Sequence, residues 1–128
     1  MDKRLKRHVS DIQKTISADP SKIPSKKIEK LIGKMKGQDR LETLLLATKH
    51  ALESQHNESA QLLATICLTS FPENADCWDT VESLLLLSPP PTVVWRAIEN
   101  YLRKTADGRI ILWFREQIRL AGQEWLVS

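Results

Sequence analysis

Apolar residues recur every three or four positions through most of this chain, and short polar or proline-bearing stretches interrupt the recurrence. From residue 2 to residue 18, Leu5, Val9, Ile12 and Ile16 fall at steps of four, three and four, which is one stripe along a helix. "ADPSKIPS" breaks that pattern twice, because each proline lacks a backbone donor and biases its predecessor away from helical angles. Ser25 is placed to cap a second helix over "KKIEKLIGKMK", with Ile28, Leu31, Ile32 and Met35 on its inner face and Gly37 placed to end it. A third helix is predicted over 39–55, with Leu41, Leu44, Leu45, Thr48, Ala51 and Leu52 at helical spacing.

Asn57 is placed to cap a fourth helix that runs to about Phe71 through Ala60, Leu63, Ala64 and Cys67, and "FPEN" ends it. The fifth, 75–87, carries Trp78, Val81, Leu84 and Leu85 before "SPPP" stops it. Thr92 is placed to cap a sixth, with Val94, Ile98, Tyr101 and Leu102 inward, up to the turn residues Asp107 and Gly108. In the last segment "IILWF" suits a strand as well as a helix, but Ile111, Phe114, Ile118 and Ala121 keep helical spacing and nothing else offers a partner strand. A seventh helix ending near Gly122 is therefore expected, and the fold class is all-α.

Composition changes this picture at one point. Hydrophobic residues at 41% and charged residues at 27% are ordinary for a globular chain of 128 residues. The charge, however, is uneven: residues 1–40 hold 12 Lys and Arg against 5 Asp and Glu, while residues 41–128 hold 7 against 11. We therefore distinguish a basic helical segment, 1–40, from a mildly acidic helical body, 41–128, within one continuous unit. No membrane span or classical secretion signal is expected, since the chain is charged from its second residue and nowhere runs through eighteen apolar residues. Cys67 and Cys77 are too few to staple the fold and are read as reduced thiols, which suits a cytoplasmic or nuclear protein.

"AQLLATICLTSFPENADCW" resembles the tetratricopeptide repeat, a 34-residue helix-turn-helix unit with small residues in its second helix, a closing Pro and an aromatic opening the next unit. With Pro72 as the closing Pro, Ala60 and Cys67 fall on small positions and Trp78 on the opening Trp. Ala64 stands where Phe is usual, Thr48 where Gly is usual and Ala51 where Tyr is usual. "VWRAIENYL" and "ILWFREQI" resemble the related half-tetratricopeptide style, and the likeness covers about residues 41–121. It implies helical hairpins stacked antiparallel as an α-solenoid, with the Trp78 indole against the small residues of the fourth helix. It also implies a partner-binding groove formed by Glu42, Leu45, Lys49, Leu52 and Glu53 of one unit and Asp76, Asp79, Ser83 and Leu86 of the next.

Such a groove, mixing charge with leucine, suits a peptide or amphipathic helix of a partner protein. "LETLLLA" and "ESLLLLS" each carry more apolar surface than one stripe requires, so a second cover is expected from a neighbouring helix, a partner or a second copy of the chain. A different class of partner is suggested by Lys26, Lys30 and Lys34, one helical turn apart with Lys27 beside them, which suit nucleic-acid phosphates or an acidic protein segment. No catalytic, metal or cofactor site is expected. The histidines and cysteines show neither CxxC nor HExxH, and the four glycines form no phosphate loop. Asp76 and Asp79 are read as favourable charge at a helix start. The function expected is thus an adaptor, scaffold or small chaperone-like subunit, with an RNA- or DNA-binding accessory role as the alternative and no enzymatic activity.

Overall fold

The computed structural model describes residues 3–19, 22–87 and 92–120, the side chains of 85–87, 92 and 93 lying outside the description. The described residues form seven α-helices and no strand: α1 (Lys3–Ala18), α2 (Ser25–Gly33), α3 (Gly37–Glu53), α4 (Asn57–Ser70), α5 (Ala75–Leu87), α6 (Thr92–Thr105) and α7 (Gly108–Leu120). The ambiguous stretch at 110–114 is helical.

α1 buries the stripe its spacing predicts, Leu5, Val9, Ile12 and Ile16, while its cations stay exposed. Each fully buried aliphatic side chain contributes about 1.5–3 kcal/mol. The surface pair Arg4–Asp39, at 3.5 Å, belongs to a class worth about 0–1 kcal/mol. The apolar stripe therefore holds α1 on the body. Ile12 and Ile16 of α1 and Ile28 and Ile32 of α2 share one hydrophobic cluster that continues to Ile118 in α7, so the basic segment is built into the common core.

Helix ends depart from the sequence reading in several places, among them Thr92, which is the first residue of α6 rather than its cap. Ser25 is the first residue of α2 rather than its cap: Pro24 precedes the helix, and its carbonyl accepts from the Ile28 amide at 3.0 Å. α2 stops at Gly33, and the amides of Lys34 and Met35 fold back onto Leu31 and Ile32. Gly37, expected to end α2, opens α3 instead with φ +57°, a backbone angle that glycine adopts without steric cost. Asn57 likewise begins α4 rather than capping it, and no side-chain cap bond forms there.

The C-terminus of α3 closes in a Schellman turn. The His56 amide donates to Ala51 O at 2.8 Å, and Gln55 takes the left-handed position with φ +64°. Two caps that spacing alone did not single out lie further on. Asn74 Oδ1 accepts from the amides of Asp76 and Cys77, at 3.0 and 3.2 Å, to start α5. Asp107 Oδ1 accepts from those of Arg109 and Ile110, at 3.0 and 3.1 Å, to start α7.

α4 lies at the centre. Every residue from Ser59 to Leu68 is buried, and the helix packs on α3, α5 and α6. α1 packs on α2 and α3, and α7 on α5 and α6. Two polar side chains of α4 donate within this setting: Gln61 Nε2 to Leu84 O at 3.2 Å, and Thr65 Oγ1 to Gln61 O at 2.8 Å. Within the chain, α4 is the helix covered on every side, from Ser59 to Leu68. In α3, Leu45 and Leu46 are only half-buried and Leu52 is exposed.

Candidate functional site

The turn between α4 and α5 lies beside Cys67, Pro72, Cys77 and Trp78. Trp78 is half-buried against the core; its Nε1 donates to the Pro72 carbonyl, and its ring meets Trp113 of α7 edge-on, with centroids 4.8 Å apart and planes at 90°. Cys67 in α4 and Cys77 in α5, both buried and free, are neighbours across the contact between these helices. The neighbouring Cys77 thiol, and then burial, push the Cys67 thiol above the ordinary range, so it stays protonated near neutral pH. Small sulfur-bearing side chains thus lie in the contact between α4 and α5, while the indole ties the turn between them to α7.

The groove residues expected on α3 divide. Glu42, Lys49, Leu52 and Glu53 are exposed, and Leu52 keeps 44% of its surface accessible, beside two charges. Leu45 does not present itself freely, because it is half-buried and packs against the core cluster. On α5, Asp76, Asp79 and Ser83 are exposed, and the Leu86 side chain lies outside the described residues. α3 and α5 each pack on α4 rather than closely on each other, so the two sets share a common mount.

Lys26, Lys27, Lys30 and Lys34 are all exposed, and none has an ion-pair partner among the described residues. Lys34 sits at the C-terminal cap of α2, so three of the four are within the helix. Lys22, Lys26 and Lys27, with Asp19 and Ser25, line a cleft of about 520 Å³ where α1 hands over to α2.

Two features escaped the sequence reading. Trp95 is fully buried in α6 and packs on Phe114 of α7, at 5.5 Å between centroids, where Tyr101, expected inside, is half-buried. Spacing offered the signal, since Trp95, Ile98 and Leu102 sit at steps of three and four. Glu99, nearly buried on the same helix, is held by Arg103 one turn on, at 2.8 Å.

Among the described residues, no group of three His, Cys, Asp or Glu side chains is placed to hold a metal ion. No described helix is long and apolar enough to cross a membrane. Comparison with known protein families, with curated protein sequences and with solved structures finds no match.

Proposed function

We propose that this chain is a protein-interaction module of tetratricopeptide-like helical hairpins, serving as an adaptor, scaffold or small chaperone-like subunit in the cytoplasm or nucleus, without catalytic activity. The solenoid part of the reading is supported by the order of packing, in which helices contact the next in sequence or the next but one: α3 with α4, α4 with α5 and α6, α5 and α6 with α7.

The observation that carries the binding role is Leu52. It is a large apolar side chain left exposed at the end of α3, between Lys49 and Glu53, on a helix that packs on the largely buried α4. An apolar anchor ringed by charges on a rigid mount suits a peptide or amphipathic helix, which buries one leucine-like side chain and is oriented by the surrounding charges. Asp76, Asp79 and Ser83 on α5 are assigned to the same partner, as polar contacts that orient it.

Selection of a displayed library of twenty-residue amphipathic segments against the folded chain tests this reading. Enriched segments are expected to lose at least tenfold in affinity with Leu52→Glu, whose helical circular dichroism stays that of the parent because the position is exposed. No enrichment, or binders indifferent to Leu52→Glu and Asp79→Lys alike, overturns it.

A further inference from the structure

We propose that the outward face of α1 and α2 is a second binding surface, separate from the α3–α5 one, and that it takes the phosphate backbone of a nucleic-acid duplex without regard to sequence. The first ground is local electrostatic conflict. α1 and α2 have no acidic residue in their first turns and begin with Lys3 and Arg4 and with Lys26 and Lys27, at the ends where the helix dipole disfavours cations. α3, α4 and α5 follow the opposite rule, with Asp39, Glu58 and Asp76 in their first turns; α6 and α7 also lack a first-turn acid, but only α1 and α2 place two cations there.

Repulsion within the face is the second ground. Lys3 and Arg7, and Lys26, Lys30 and Lys34, stand one helical turn apart with like charge, and all are exposed. Exposed Glu29 makes no ion pair with its lysine neighbours among the described residues. A polyanion laid on the face converts these repulsions into attraction and releases its own counterions.

The third ground selects the kind of polyanion. Among the described residues the large hydrophobic side chains left exposed are Leu52, Leu112 and Leu120, on α3 and α7, so the described parts of α1 and α2 offer no exposed large apolar anchor around which a protein interface forms, and lysine is depleted in such interfaces. Single strands are held in large part by aromatic platforms for their bases, and neither α1 nor α2 carries a Phe, Tyr or Trp. What remains is contact with a backbone. Lys26 to Lys34 spans about 12 Å at the helical rise, a length over which one strand of a duplex presents about three to four phosphates.

The test is fluorescence anisotropy of a labelled twenty-base-pair DNA duplex of mixed sequence, titrated with the full chain between 50 and 200 mM salt. If about four cations engage phosphates, affinity falls by about 100-fold across that range. The triple variant Lys26→Gln, Lys30→Gln, Lys34→Gln is expected to weaken binding at least tenfold at 50 mM salt and to flatten the log–log salt slope by about 2.7. It removes only exposed, mutually repelling charges, and its helical circular dichroism verifies folding. Leu52→Glu is expected to leave duplex affinity within twofold, which separates this surface from the peptide site. Absence of binding at 50 mM, an unchanged slope in the triple variant, or tighter binding of a twenty-residue polyglutamate peptide than of the duplex at equal salt overturns the assignment. The last of these outcomes gives the face to an acidic protein segment.

Discussion

The indole of Trp78 meets that of Trp113 at right angles, 4.8 Å between centroids, while its Nε1 donates to the Pro72 carbonyl. One side chain thus links the α4–α5 turn to α7, some 35 residues further along the chain. Two contributions separate experimentally. Trp78→Phe keeps a ring but loses the hydrogen bond, and urea unfolding is expected to show a loss of about 1 kcal/mol. A double-mutant cycle of Trp78→Ala with Trp113→Ala is expected to show a coupling of about 0.5–1.5 kcal/mol. Additive single losses would mean that the two rings do not support each other.

Gln55 occupies the left-handed position of the Schellman turn after α3 with φ +64°. A side chain there costs about 1–2 kcal/mol, partly offset in a glycine variant by the greater entropy of the unfolded chain. Gln55→Gly is therefore expected to stabilise by about 0.5–1 kcal/mol, read as an upward shift of a few degrees in Tm. Gln55→Val, β-branched at the same angle, is expected to lower Tm.

Thr43 is fully buried on α3, and its hydroxyl has no hydrogen-bond partner among the described residues. An unpaired buried hydroxyl carries its full desolvation cost, and valine matches its shape without the polar atom. Thr43→Val is expected to raise stability by about 1 kcal/mol in urea unfolding. Thr65, also fully buried, donates to Gln61 O at 2.8 Å, so Thr65→Val is expected to give no comparable gain.

The Cys67 thiol is raised in the folded chain, first by its pairing with Cys77 and then by burial; the pairing lowers Cys77 in turn, so across the two thiols burial is what keeps a proton on in the folded state. In the unfolded chain Cys67 ionises in the ordinary range, near about pH 8.5. Above that pH the unfolded state sheds a proton that the folded state keeps, so stability is complete below about 8.5 and declines as pH rises further. The unfolding midpoint in urea, followed from pH 7.5 to 10, is expected to fall, and Cys67→Ala to make that fall shallower. An equally steep decline in the variant would assign it to other groups.

The places where spacing misled share a cause. α3 and α5 drew attention by their leucines, yet α4 is the helix buried on all sides. From Ser59 to Ser70 it contains no charged residue, whereas α3 spaces Asp39, Arg40, Glu42, Lys49 and Glu53 along its length. Absence of charge all round, rather than leucine content, marks a helix that must be enclosed. Lys26, Lys27, Lys30 and Lys34 were legible as an exposed row because charge keeps them in water whatever the packing. Leu45 was not legible as a core contact, because an apolar residue at the edge of a stripe fits either a binding groove or the interior.

The order of amino acids by itself determined that this chain is helical and where most of its helices lie. Period and breakers act over a few residues, through backbone angles and hydrogen bonds that need no distant neighbour. Tertiary structure alone decided that α4 is central, that Trp78 reaches Trp113, that Trp95 rather than Tyr101 fills the α6–α7 contact, and that Leu52 stays in water. A stripe specifies that a face must be covered; only the three-dimensional arrangement of the other helices specifies what covers it and which apolar residues are left over.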